Sequence, residues 1–111
     1  MNLRLVDSAG IRIAAGTDAG NIGTLHGPAL HREFELMAAA GMRPAGILVA
    51  ATRNAAVVMG READLGTLEK GKYGNMVILD ADPRRDIHNA RKIFKVIKNG
   101  VLIDISPNAL K

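Results

Sequence analysis

The chain of 111 residues has no cysteine and no tryptophan, and only two Phe and one Tyr. Without cysteine there is no disulfide, no thiol nucleophile and no thiolate ligand, and the composition suits a cytoplasmic protein. With aromatics at 3%, the core has to be built from Ala, Val, Ile, Leu and Met. No apolar run reaches the ~18 residues of a membrane span, so no membrane partner is expected. Met1-Asn2-Leu3-Arg4 leads into a mixed segment, not the apolar centre of a signal peptide. Charge of one sign is also scarce. Fifteen Lys and Arg stand against eleven Asp and Glu, a formal net charge of +4. The basic residues are scattered apart from Lys92, Lys95, Lys98 and Lys111. No aromatics interleave them, so no nucleic-acid surface is expected.

What is present, 48% hydrophobic and 23% charged residues, describes a globular chain. It is long enough for one domain and too short for a complete (β/α)8 barrel of ~250 residues. Leu3, Leu5, Val6 and Ala9 around Arg4 and Asp7 read as the last turns of a helix with Gly10 at its cap. A chain that opens on a helix end suggests a piece of a larger protein. Ile11-Arg12-Ile13-Ala14-Ala15 reads as a buried strand. Residues 16–27, with Gly16, Gly20, Gly23 and Gly27, read as a loop, and long loops without structure of their own are often functional.

Pro28 suits the first turn of a helix, which continues through Leu30, Phe34, Met37 and Ala38 to a stop at Gly41. On that spacing Arg32, Glu33 and Glu35 point away from the core. Pro44 opens a second helix through Ile47, Leu48 and Ala51, and Thr52 or Asn54 is expected to cap a third, from Ala55 to Met59, ended by Gly60. Residues 65–75 are turn-rich. Met76 to Leu79 and Ile93 to Lys98 read as strands, and Asn99-Gly100 as a two-residue hairpin turn into Val101-Leu102-Ile103. The expected organisation is a helical unit over 1–60 and a small β unit over 61–111. Two or three strands alone are marginal in water and need a partner surface.

Asp18 stands where a strand ends and a Gly-rich loop begins, the place where parallel α/β folds put their chemistry. A carboxylate there can bind a cation, accept a proton from a metal-bound water, or cap the loop, and spacing alone does not choose. His26 and His31 are five apart, which misses the i, i+4 spacing of two ligands on one helix face. His26 can still reach a substrate at the strand end. The glycines match neither a phosphate loop nor a dinucleotide fingerprint. There is no G-x-S-x-G elbow, and Ser8 and Ser106 have no evident triad partners.

Taken in order, Gly16-Thr17-Asp18-Ala19-Gly20, His26-Gly27, Glu35-Leu36, Ala40-Gly41-Met42-Arg43-Pro44 and Ala50-Ala51-Thr52-Arg53-Asn54-Ala55-Ala56 form a series. It continues as Met59-Gly60, Leu65-Gly66-Thr67-Leu68-Glu69-Lys70-Gly71-Lys72 and Val77-Ile78-Leu79-Asp80-Ala81-Asp82-Pro83. The series resembles the C-terminal end of the metal-dependent amidohydrolase superfamily, in its imidazolonepropionase-like and Xaa-Pro dipeptidase-like branch. The resemblance runs from about Ile11 to Ile103.

It implies an α/β fold in which residues 11–15 are the eighth strand of a (β/α)8 barrel. The helices up to residue 60 would close that barrel, and residues 61–111 would supply C-terminal strands of a small β-sandwich. It implies a hydrolase acting on a carbon–nitrogen bond of an amide, peptide or cyclic amide through metal-activated water. Asp18 would be both metal-facing and the proton-transfer residue, with Thr17, Gly20 and His26 lining the substrate pocket. The metal would be zinc or another divalent ion, and the substrate a small molecule or peptide.

The family's histidine ligands belong upstream of this series, so the chain alone is expected to be inactive and to bind no metal tightly. The alternative is a non-catalytic module that self-associates, or completes a partner, through its apolar faces. Two departures from the family pattern stand out. Gly74-Asn75 replaces an Ala-Asp pair whose carboxylate supports a turn, and Gly46 replaces a common helical Glu.

Overall fold

The computed structural model describes residues 3–22 and 24–106, so Gly23 and Lys111 of the sequence reading lie outside the described residues. Four helices come first: α1 (Leu3–Ser8), α2 (Pro28–Ala39), α3 (Pro44–Ala51) and α4 (Arg53–Val58). A sheet of β1 (Met76–Leu79), β2 (Ile93–Lys98) and β3 (Val101–Ile103) follows, with a 3-10 helix, Ile87–Arg91, between its first two strands. Helices first and an antiparallel sheet after them make a small α/β arrangement.

Pro28 and Pro44 occupy the first turns of α2 and α3, where a missing N–H costs nothing. Phe34 and Met37 on one face of α2, Met42, and Ile47 and Ala50 on α3 form the core together with Ile87 and Ala90 of the 3-10 helix. Ile47 is fully buried. Burying a side chain of the size of Phe34, Met37 or Ile47 contributes about 1.5–3 kcal/mol. The 3-10 helix thus shares the helical core, and an ion pair reinforces it. The Arg91 guanidinium donates to Glu35 Oε1 at 2.9 Å from Nε and 2.6 Å from Nη2. Arg32 Nη1 donates to Glu35 Oε2 at 3.3 Å. Glu35 therefore does not point away, as its helical spacing predicts. Its side chain is only 18% exposed and joins residues 56 apart in sequence.

Two further expectations are corrected. Residues 11–15 are extended but form no ladder, because no described strand lies beside them. Only one side of the segment is covered: Ile13 and Ala15 pack on the core, and Arg12 and Ala14 on the other side are exposed. Thr52 and Asn54 do not cap the third helix, which begins at Arg53 without a side-chain cap bond. Thr52 Oγ1 instead donates back to the Leu48 carbonyl at 2.7 Å, satisfying one of the last acceptors of α3. Asn54 Nδ2 donates to the Ile13 carbonyl at 2.8 Å.

The sheet is antiparallel in the order β1-β2-β3. Met76 pairs with Ile97 and Val77 with Val96, while Val96 pairs with Ile103 and Ile97 with Leu102. The ladder slips at Ile78/Leu79. The β2–β3 turn holds Asn99 at φ 52 and Gly100 at φ 78, the two positive values a type I′ hairpin demands. Gly74 lies against this turn so closely that a Cβ on it would stand 3.1 Å from the Gly100 nitrogen. Its carbonyl accepts the Gly100 N–H at 2.9 Å, and Asn75 Oδ1 accepts the Asn99 N–H at 2.7 Å. The Gly74-Asn75 departure therefore has a structural use. The glycine fits where an alanine would crowd, and the amide oxygen supplies the acceptor that a carboxylate would give.

Candidate functional site

The candidate site is built on the segment from Ile11 to Thr24. Residues 11–15 approach α3 and α4 and are held there by two hydrogen bonds. Ala15 N–H donates to the Ala50 carbonyl at 3.1 Å, and Asn54 donates to Ile13 as described. Ala50 lies in the last turn of α3, where carbonyls have no partner within the helix, so the approach satisfies a group that would otherwise be open.

The chain then turns at Asp18, whose φ is 50. Aspartate is one of the few residues that accepts this left-handed conformation readily. The turn is closed locally: Asn21 N–H donates to the Asp18 carbonyl at 3.4 Å, and the Asn21 side-chain amide donates to Asp18 Oδ2. Thr24 N–H donates to Asn21, and Gly20 N–H to Thr24, both at 3.0 Å. Asp18 is exposed. Among the described residues its carboxylate accepts no backbone N–H; its side-chain contact is Asn21. Asn21 escaped the sequence reading, and the signal for it was slight: an Asn three residues after an Asp in a Gly-rich loop.

The other three candidates separate into two places. A Cβ on Gly20 would stand 3.3 Å from His26 Nε2, so the imidazole lies over Gly20 in the same loop as Asp18. Thr17 faces elsewhere. It lines an open groove of about 390 Å³ with Thr24, Leu25, Arg32 and Leu36, and Asp18, Gly20 and His26 are not among the groove's walls.

His31, weighed above as a possible ligand, sits within α2 with its ring edge-on to Phe34 at 6.1 Å. Its Nδ1 is buried without a hydrogen-bond partner. Burial, then the nearby Arg91 charge, hold its pKa below the usual histidine value, and Glu35 pulls the other way. Glu35 itself is held below its ordinary value, chiefly by its hydrogen bond from Arg91. This cluster supports helix packing. It is separate from the loop of Asp18.

The divalent ion implied by the resemblance can be tested against these residues. Among the described residues no three His, Cys, Asp or Glu side chains come together as a ligand set. The loop offers one carboxylate, and the residues present do not fit a metal by themselves. No described helix is long and apolar enough to cross a membrane.

Comparison with known proteins finds a family and relatives for the chain. Residues 2–103 match the amidohydrolase family. An imidazolonepropionase of Shouchella clausii is 30% identical over 106 residues, which is 92% of this chain and 24% of the relative. An imidazolonepropionase of Symbiobacterium thermophilum is 42% identical over 66 residues, 57% of this chain and 16% of the relative. The chain thus spans a quarter or less of the curated relatives it matches. Among solved structures, molinate hydrolase superposes with a TM-score of 0.84 at 29% identity, covering 99% of this chain and 28% of the other. A Xaa-Pro dipeptidase with methionine bound in its active site gives 0.82 at 32% identity, covering 92% of this chain and 24% of the other.

Proposed function

Because the chain belongs to the amidohydrolase family, we propose that it is the C-terminal part of a hydrolase that cleaves a carbon–nitrogen bond in an amide, peptide or cyclic amide. In this reading residues 1–60 close a barrel, with residues 11–15 as its last strand, and residues 61–111 belong to a β-sandwich. Asp18 takes the proton that the attacking water must lose and returns it to the leaving nitrogen. His26, over Gly20 beside it, faces the substrate, and Thr17 contributes from the neighbouring groove. The divalent metal of the family, zinc in the simplest case, would take most of its ligands from outside the described residues.

The observation that carries this reading is the state of Asp18. Its carboxylate is exposed at the end of an anchored segment and, among the described residues, caps no backbone N–H. A loop-capping aspartate spends its carboxylate on such bonds; here the structural role that competes with proton transfer rests on the one side-chain bond from Asn21.

A chimera tests the proposal. Residues 2–103 replace the matching segment of the Shouchella clausii imidazolonepropionase, and hydrolysis of imidazolonepropionate is followed. The chimera is expected to turn over, and Asp18→Asn to lower kcat by roughly 10²–10⁴-fold, the range of a lost general acid–base. Equal kcat for the two removes Asp18 from the chemistry. The 111-residue chain by itself is expected to show no turnover and no calorimetric zinc binding in the micromolar range. A micromolar zinc site in this chain would mean that it assembles a ligand set of its own.

One observation favours the self-associating reading for the isolated chain. It exposes 8079 Å², whereas a compact monomer of 11.8 kDa is expected to expose about 5,900 Å². That excess asks for a covering surface.

A further inference from the structure

We propose that Asn54 is a positioning residue: its side-chain amide pins the extended segment that carries Asp18, and so fixes where the Asp18 carboxylate stands. The inference rests on the reading of Asp18 as the proton-transfer residue.

Residues 11–15 have no described strand beside them, so their backbone groups cannot be satisfied by a ladder and must find other partners. Ile11 N–H donates to the Val6 carbonyl at 3.2 Å, and two bonds tie the segment to the helical layer, Asn54 Nδ2 to the Ile13 carbonyl at 2.8 Å and Ala15 N–H to the Ala50 carbonyl at 3.1 Å. The bond to Ile13 comes from a side chain, and that side chain is half-buried. Asn54 is the second residue of α4, where an asparagine could serve the helix terminus, yet α4 has no side-chain cap bond. Its amide reaches across 41 positions of sequence instead.

Chain geometry links this bond to Asp18. Ala15 precedes Asp18 by three residues, at most about 11 Å of extended chain, and the turn beyond is locked by Asn21. The carboxylate therefore inherits its position from the anchored segment on one side and the Asn21 turn on the other. Proton transfer requires heavy atoms within about 2.6–3.2 Å, and a misplacement of about 1 Å can cost a hundredfold in rate. A donor fixed to the rigid end of a helix suits that demand better than loop packing alone.

The test follows amide hydrogen exchange by NMR in the 111-residue chain and in Asn54→Ala, Asn54→Asp and Asn54→Gln. Alanine removes the side-chain amide and aspartate keeps its shape without the donor. Exchange at Ala15 is expected to speed up roughly two- to tenfold in both, the loss of one hydrogen bond, with the Thr17 and Asp18 amide resonances displaced. Exchange at Ile47, inside α3, is expected to stay unchanged, and Asn54→Gln, which keeps the donor on a longer stem, to recover part of the Ala15 protection. Unchanged exchange at Ala15, equal acceleration at Ala15 and Ile47, or outright unfolding of both Asn54→Ala and Asn54→Asp overturns the local role. The chimera separates this from the parent reading. An active Asp18→Asn chimera refutes the role of Asp18, while an inactive one with undisturbed Ala15 exchange in the Asn54 variants refutes only the anchor.

Discussion

His31 is placed where protonation is penalised. Its Nδ1 is buried without a partner, the Phe34 ring meets its edge, and the Arg91 guanidinium lies near. The folded state therefore holds a proton on His31 less well than the unfolded chain, whose reference pKa is 6.5. Stability from this group is complete above that value and is lost as the pH falls through the lower folded pKa. The carboxylates titrate in a separate, more acidic window. Asp82, clasped by the Arg84 side chain and backbone N–H, is lowered from 3.8 to about 2, so its contribution is present above 3.8 and lost as the pH falls through about 2. Thermal melts of the wild-type chain should thus show a first decline just below pH 6.5 and a second below pH 4. His31→Gln should remove the first decline and leave the second. A melt profile for His31→Gln that parallels the wild type down to pH 5 would place the acid sensitivity elsewhere.

At the scale of elements, the β2–β3 turn depends on residues outside its own hairpin. Asn75 Oδ1 accepts the Asn99 N–H at 2.7 Å, and the Gly74 carbonyl accepts the Gly100 N–H. Asn75→Ala should cost about 1 kcal/mol, the net worth of one such bond, which corresponds to roughly 4–8 °C in Tm for a domain of this size. Asn75→Asp should hold or raise Tm, because an ionised acceptor makes the stronger bond. A lower Tm for aspartate than for alanine would show that Asn75 acts through something other than its acceptor.

This turn also shows what the sequence makes legible. Asn99-Gly100 announces a type I′ hairpin because few residues accept positive φ, and Pro28 and Pro44 announce helix starts because their missing N–H is harmless only there. The functions of Asn75, Asn54, Thr52 and Glu35 are not legible in the same way. Each bonds a group outside its own local pattern, or a carbonyl that only the folded helix leaves open. Local spacing says that Glu35 faces water and that Asn54 caps a helix, and tertiary contacts override both. Residues 11–15 form no ladder for the same physical reason. A run of β-formers becomes a strand only beside another, and the described residues place none beside this one. Asp18 was legible as a candidate from its place between an apolar run and a Gly-rich loop, and the resemblance of its ordered neighbours to a family implied its role. The Asn21 contact that orients its carboxylate became visible only in three dimensions.

At the scale of the whole molecule, the sheet is one of the surfaces left uncovered. By the pairing register Val77, Val96 and Ile103 share one face, while Met76, Ile97 and Leu102 share the other. Val77 is 54% exposed, Ile103 41% and Leu102 56%, so each face presents apolar side chains to water. A sheet normally buries at least one face. The area exposed beyond that of a compact monomer is roughly 2,200 Å², within the range of permanent protein interfaces. In a longer enzyme, further chain can cover it. In the isolated chain, a second copy is the available cover. Size exclusion with light scattering at roughly 50 μM is therefore expected to give a mass of at least twice 11.8 kDa. Raising the salt should strengthen the association, since it screens the +4 charge that each copy brings while leaving the apolar contact intact. The double variant Val77→Lys with Ile103→Lys puts charge on one sheet face without touching the helical core, and it should return the mass to that of a monomer while preserving the far-UV spectrum. A monomeric wild type would show that the exposed sheet is tolerated in water. A variant that stays dimeric would take the contact off this face, to the opposite one at Leu102 or to the exposed Leu5 and Val58 of the helices.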